Sequence, residues 1–187
     1  PVIREISPDG ASLRFYENVF TLPEGAAVTE PGSISISRTL PELDFMCANA
    51  NRLWGCKGST VYASKLGDIF NWNVFDGLET DSWAVDVGSP GDFTACVSYL
   101  GYPIFFKEDS VCKVYGTLPS NFEVISSASL GVKQGSHKSL AIAGETLFYL
   151  SRSGVAAYKG GMPSLISRVF GDKSFSQGCA GSDGRKY

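Results

Sequence analysis

The side chains that most often carry enzymatic chemistry are scarce in this sequence. His137 is the only histidine among the 187 residues, and Ser136 precedes it directly. A Ser beside a His in sequence does not make a nucleophile–base pair, because catalytic triads are assembled in space, and the Gly-x-Ser-x-Gly elbow is missing. We interpret His137 as a turn residue and expect no acid–base or nucleophilic catalysis, and therefore no enzyme.

The cysteines do not have the spacing of a metal site. There are five, Cys47, Cys56, Cys96, Cys112 and Cys179, with no Cys-x-x-Cys pair and no Cys/His cluster, so we expect no zinc. We interpret them as reduced residues that act as small buried hydrophobes. One hairpin register would allow a Cys47–Cys56 disulfide, but the turn sequence does not fix that register.

The acidic residues are spread through polar connections. They are Asp68, Asp76, Glu79, Asp81, Asp86 and Asp92. A glycosidase needs two facing carboxyl groups at a set separation, and no pair stands out. The stretch 76–86 also lacks the alternation of Asp and Asn around a central Gly that a calcium loop requires. We interpret these residues as solvated turn acids and predict no metal or cofactor.

The most distinctive stretch is 64–77, which contains Asp68, Phe70, Trp72, Phe75 and Asp76. One interpretation is a connection between two sheets, with a turn at Gly67-Asp68 and the aromatic rings filling the seam. The other is an exposed aromatic surface that binds a sugar or a partner protein. The stretch superficially resembles the aspartate box of sialidase-type propellers, but Gly67 precedes Asp68, which departs from that motif.

The elements around these residues repeat about every 45 to 50 residues, a period typical of β-propeller blades. Each copy contains three short segments rich in β-branched and aromatic residues, bounded by Gly, Asn, Asp or Ser, which is the pattern of strands and hairpins. The copies span 45–64, 93–115 and 140–158, and Val61, Val111 and Val155 fall at matching places. Apolar runs that are partly continuous indicate sheets covered on both faces.

We therefore predict an all-β chain with little helix: a partial β-propeller of about three blades plus a truncated fourth, preceded by part of a small β subdomain. Residues 1–40 form that subdomain, with a hairpin at 2–15 and a strand at 33–37, and residues 41–187 form the blades. The fourth copy begins at Gly178-Cys179-Ala180-Gly181 and turns at 182–184. We expect the chain to be a fragment that self-associates through open edges.

Composition narrows the function classes. With 43% hydrophobic residues the chain can bury a sizeable core. A net charge of −3 with acids and bases interspersed argues against nucleic-acid binding by phosphate neutralisation. There is no apolar run of about 18 residues, so we expect no membrane span.

Several strings, such as 51–56, 61–68, 105–108, 113–116 and 138–144, resemble those of uncharacterised proteins encoded among the structural genes of bacteriophages and prophages of Gram-positive bacteria. The resemblance implies a non-enzymatic virion component of the tail or neck, an assembly or receptor-facing platform. Its partners would be other phage structural proteins and a host surface glycan, and its location the virion, or the bacterial cytoplasm before assembly. The alternative is a carbohydrate-binding or glycoside-acting propeller, motivated by Trp54, Trp72 and Trp83.

Overall fold

The computed structural model describes residues 3–6, 13–15, 40–171, 173, 175–184 and 186. The chain forms two compact units, residues 1–37 and 38–187. In the first unit, β1 (Ile3–Ile6) and β2 (Leu13–Phe15) pair antiparallel, which is the hairpin that the sequence predicts. The strand predicted at 33–37 lies outside the described residues.

The second unit contains three four-stranded antiparallel sheets, each with its strands in chain order. Sheet 1 comprises β3 (Phe45–Asn49), β4 (Arg52–Lys57), β5 (Thr60–Ala63) and β6 (Trp83–Asp86). Sheet 2 comprises β7 (Ala95–Tyr99), β8 (Tyr102–Phe106), β9 (Ser110–Tyr115) and β10 (Glu123–Ala128). Sheet 3 comprises β11 (Ala141–Ala143), β12 (Thr146–Ser151), β13 (Gly154–Tyr158) and β14 (Ser164–Leu165).

The prediction of an all-β chain built from repeated sheets is confirmed at this level. The described part of the chain has no α-helix; its helical segments are three short 3₁₀ turns, at Pro119–Asn121, His137–Ser139 and Ser167–Phe170. None of these has the length or apolarity of a membrane-spanning helix. The three sheets do not close into a barrel.

The repeat in the sequence reflects equivalent strand registers in the three sheets. Val61 pairs with Cys56, Val111 with Phe106, and Val155 with Leu150, each the second residue of a third strand. In sheets 1 and 2 a two-residue turn joins the first two strands, and both turn residues have positive φ: 48° and 57° at Ala50 and Asn51, 51° and 79° at Leu100 and Gly101. Such type I′ geometry matches the twist of the flanking strands and therefore fixes the register.

Sheet 2 is buried on both faces along β8 and most of β9, whereas β10 is largely exposed. Phe105, Cys112 and Val114 belong to one core with Trp54, Cys56 and Val61 of sheet 1. Ile104, Phe106 and Val111 belong to a second core with Leu147, Tyr149 and Ala156 of sheet 3. Because successive side chains of a strand point to opposite faces, the continuous apolar run in β8 supplies both cores, as the sequence predicts.

The prediction of a fourth sheet is not supported by the described residues. Residues 175–184 contain no strand; they lie against sheet 3 instead. Ala180 N–H donates to Lys138 O at 2.9 Å, Gly144 N–H donates to Gly184 O at 2.8 Å, and Gly178 packs on Leu150. A segment rich in Gly and Ser has weak strand propensity, and here it covers Leu150.

The five cysteines are free, as expected, but their environments differ. Cys56 and Cys112 are buried, Cys47 and Cys96 are half-buried, and Cys179 is exposed, so the interpretation as a buried hydrophobe is wrong for Cys179. The β3–β4 register places Cys47 opposite Trp54 and Cys56 opposite Phe45, and the two thiols do not face each other. Cys47 instead hydrogen-bonds Cys96 of sheet 2, and this bond together with burial raises the pKa of the Cys96 thiol.

We predict that Phe105→Ala lowers the free energy of unfolding by about 3–5 kcal/mol, because Phe105 is fully buried and its loss leaves a cavity between sheets 1 and 2. The matched control is Phe70→Ala, which removes an exposed ring and should change stability by no more than about 0.5 kcal/mol. Urea unfolding of the two variants measures the difference. Equal effects would contradict the burial of the sheet 2 face that packs on sheet 1.

We predict that a maleimide labels all five cysteines of the denatured, unreduced protein, but labels only Cys179 quickly in the folded protein at pH 8. Burial raises the pKa of Cys56 to about 12, so its reactive thiolate fraction falls about a thousandfold relative to an ordinary thiol. Peptide mass mapping follows each site, and Cys179→Ser should remove the fast phase. Fewer than five labelled sites after denaturation would reveal a disulfide, most directly between Cys47 and Cys96.

Candidate functional site

The distinctive aromatic stretch lies in a long loop within sheet 1. Residues 64–82 join β5 to β6, and these strands are paired neighbours. The interpretation as a connection between two sheets is therefore wrong. The reason is the fourth strand, Trp83–Asp86, which the sequence repeat did not include because the corresponding fourth strands lie at different distances from the third.

The loop 64–82 is held by hydrogen bonds across its own width. Leu66 N–H donates to Thr80 O at 2.9 Å, and Ser82 N–H donates to Val74 O at 3.0 Å. The predicted turn at Gly67-Asp68 forms, with Gly67 at φ 72°. Backbone groups that are bonded within a loop restrict its conformations, so its exposed side chains are presented from an ordered frame.

The predicted binding residues are not all on one surface. Trp72 is only 4% exposed and its Nε1–H donates to Ile69 O at 2.8 Å, whereas Phe70 and Phe75 are 57% and 62% exposed. Asp68 accepts the Phe70 N–H at 3.1 Å as a turn acid, and Asp76 is exposed. The prediction of a surface that includes Trp72 is therefore wrong, because this ring fills the interior of the loop.

The burial of Trp72 also weakens the alternative hypothesis that the protein binds a carbohydrate through its tryptophans. Trp54 is buried as well, and it packs edge-on against Trp83 and Phe122, with ring centroids 6.0 and 5.0 Å apart. Of the three tryptophans that motivated sugar binding, only Trp83 is partly accessible. A sugar cannot stack on a ring that is covered by protein.

Arg52 anchors the loop to sheet 1. Its buried guanidinium donates to three backbone carbonyls, Ser64 O at 2.7 Å, Asp81 O at 2.5 Å and Glu79 O at 2.9 Å. Desolvation lowers the pKa of Arg52, and the charge of Asp81 acts in the opposite direction. One cation thus satisfies carbonyls from both ends of the loop that would otherwise be buried without partners.

Asp81 is the carboxylate that offsets this buried charge. It is buried, and its Oδ2 accepts the Leu78 N–H at 3.0 Å. Its Oδ1 has no hydrogen-bond partner in the described part of the chain. The interpretation of Asp81 as a solvated turn acid is therefore wrong, and the role of Arg52 was not predicted. The sequence signal that could have indicated a buried arginine is the position of Arg52 at the start of the apolar strand β4.

The ordered loop carries five of the exposed apolar side chains. We use the term loop face for Leu66, Ile69, Phe70, Phe75 and Leu78, each at least 40% exposed. Phe75 and Leu78 also border a cavity of about 320 Å³ whose wall includes Trp83 and Pro119. Large apolar side chains exposed together on a folded surface are typical of interaction sites.

The remaining candidate residues do not come together. His137 is exposed in a 3₁₀ turn before β11, as the sequence predicts, and its ring lies 5.2 Å from that of Phe45. Asp86 accepts the Ser59 hydroxyl at 2.5 Å. Within the described ranges, no three His, Cys, Asp or Glu side chains are grouped so that they could hold a metal ion.

Comparison of the chain with models of known protein families and with curated proteins gives no match. Function is therefore inferred from the sequence and the geometry of this chain.

We predict that Arg52→Met lowers the free energy of unfolding by about 2–4 kcal/mol and makes residues 64–82 the first site of limited proteolysis, because three carbonyls lose a buried donor. Arg152→Met is the matched control, since Arg152 is exposed and holds only surface ion pairs, and should cost no more than about 0.5 kcal/mol. Urea unfolding and mass mapping of the first cleavage site provide the measurements. Resistance of the loop in Arg52→Met would show that other contacts hold it.

Proposed function

We propose that this protein is a non-enzymatic structural module that binds another protein through the loop face. The observation that carries the proposal is the exposure of Phe70 and Phe75 on a loop fixed by Arg52. An apolar side chain on a rigid frame loses little conformational entropy when it is buried by a partner, so the contact is efficient. Aromatic residues are also enriched at the centres of protein interfaces.

The partner we propose is a protein with a complementary apolar surface, inside a larger assembly. Complete burial of a fully exposed Phe side chain contributes roughly 1.5–3 kcal/mol. Phe70 and Phe75 are 57% and 62% exposed, so each would contribute a part of this to a contact. The repeated sheets support a finer proposal, that sheets 1 to 3 are blades of a β-propeller, because each is a four-stranded antiparallel sheet in chain order.

The assembly we propose is a bacteriophage or prophage particle, with the protein at the tail or neck and in the bacterial cytoplasm before assembly. This part of the proposal depends on the resemblance of the sequence strings to phage structural proteins. Other phage structural proteins are then the partners of the loop face.

The test is incorporation into particles. Phages assembled with wild-type protein, with Phe70→Ser/Phe75→Ser, or with the control Met162→Ser are purified and analysed by immunogold electron microscopy and by blotting. Met162 is an exposed apolar residue outside the loop face, so its replacement controls for the loss of exposed apolar surface elsewhere on the protein. We expect the wild type and the control to be incorporated, and the double variant to fold but remain outside the particle.

Absence of the wild-type protein from purified particles would refute a virion component. Incorporation of the double variant at the wild-type level would refute the loop face as the binding surface. Thermal unfolding of each variant verifies that a loss of incorporation is not a loss of fold.

A further inference from the structure

A second surface, outside the loop face, concentrates positive charge. A cavity of about 510 Å³ lies beside the β12–β13 turn and the 3₁₀ turn Ser167–Phe170. Its lining includes the cations Arg152, Arg168 and Lys173 and the hydroxyl residues Ser151, Ser153 and Ser167, with no carboxylate among the described lining residues. In a chain with net charge −3, those cations of the cavity that have no carboxylate partner indicate a local preference for an anion.

Two of the three cations are not neutralised by the described residues. Arg152 Nη1 lies 3.0 Å from Asp109 Oδ2 and 3.9 Å from Glu108 Oε2, so its charge is largely matched. Arg168 and Lys173 have no carboxylate within ion-pair distance in the described part of the chain. The positive charges of Arg168 and Lys173 therefore lie at the cavity without a counterion from the described residues.

The wall of this cavity has a defined backbone. Ser167 Oγ accepts the Val155 N–H at 3.0 Å, and Ser151 Oγ donates to Gly154 O at 2.7 Å. A Cβ atom at Gly154 would lie 2.1 Å from Ser167 Oγ, and the residue has φ 125°, so only glycine fits there. The Ser167 hydroxyl thus holds β13 against the 3₁₀ turn that carries Arg168, and the Ser151 hydroxyl closes the β12–β13 turn.

The cavity is not purely polar. Leu165 and Phe175 form apolar parts of its lining, and its volume of about 510 Å³ is partly open to solvent, which suits a small molecule held at the surface. A lone inorganic ion would leave most of that space unfilled. Cations and apolar side chains in one lining favour a ligand with an oxyanion at one end and a compact ring or chain at the other.

We propose that this cavity binds a small organic phosphate, of the class of a phosphorylated sugar. Arg168 and Lys173 bind the phosphate oxygens, since guanidinium and ammonium groups form strong charge-assisted hydrogen bonds with phosphate. Phe175 and Leu165 contact the body of the ligand. This site is independent of the loop face and of the particle proposed above.

Titration calorimetry on the whole protein tests the proposal with glucose 6-phosphate, glucuronate, inorganic phosphate and neutral glucose as probes. We expect glucose 6-phosphate to bind more tightly than inorganic phosphate or glucuronate, and glucose not to bind. Affinity should fall as salt is added, because screening weakens the attraction to exposed cations.

Substitutions assign the site. Arg168→Gln and Lys173→Gln should each weaken glucose 6-phosphate binding by about tenfold or more, the loss of one charge-assisted hydrogen bond. Lys159→Gln removes an exposed lysine directly after β13 that does not line the cavity, and should have no effect. Phe175→Ala should weaken glucose 6-phosphate but not inorganic phosphate.

Three results would overturn the proposal: no heat with any anion, equal binding by Arg168→Gln, Lys173→Gln and wild type, or equal affinity for inorganic phosphate and glucose 6-phosphate. Unchanged thermal unfolding of the variants in the absence of ligand excludes a folding defect as the cause of weaker binding.

Discussion

The two-sided burial of sheet 2 is the constraint on which the second unit depends. Phe105 points into the core shared with sheet 1, while Ile104 and Phe106 point into the core shared with sheet 3. Neither core is complete without β8, because each contains side chains from this one strand. Burial of such side chains contributes roughly 1.5–3 kcal/mol each, which is large beside the net stability of a domain, about 5–15 kcal/mol. Sheets 1 and 3 are therefore held together through sheet 2.

Two buried cations attach the connections to this stack of sheets. Arg52 binds carbonyls from both ends of the loop 64–82. Lys107 is fully buried, donates to the carbonyls of Val87 and Ser89, and lies 5.0 Å from the centroid of the Phe93 ring. Irregular backbone leaves carbonyls without ladder partners, and each costs free energy when it is removed from water. A long flexible side chain can satisfy several of these carbonyls at once.

The first three strands of each sheet could be predicted because segments rich in β-branched and aromatic residues are bounded by turn residues. Val61, Val111 and Val155 occupy equivalent positions in these segments, which made the repeat visible. The fourth strands could not be predicted, since the connections that precede β6, β10 and β14 differ in length and the pairing is decided by tertiary packing. The interior position of Trp72 could not be predicted either, because an aromatic residue in a polar loop can be buried or exposed. Arg52 and Asp81 act through a contact distant in sequence, which no local pattern reveals.

Because the loop 64–82 connects two paired strands of one sheet, its sequence can change with little effect on the stability of the three sheets. Its ends are joined to Ala63 and Trp83, which are paired partners on β5 and β6, so the loop is closed by the sheet itself. The entropy of closing a loop rises only slowly with its length. Descendants of this chain could therefore lengthen, shorten or rewrite the tip of the loop while retaining the three sheets, as long as Arg52 still has carbonyls to bind. One scaffold could in this way acquire new binding preferences through a single hypervariable insertion.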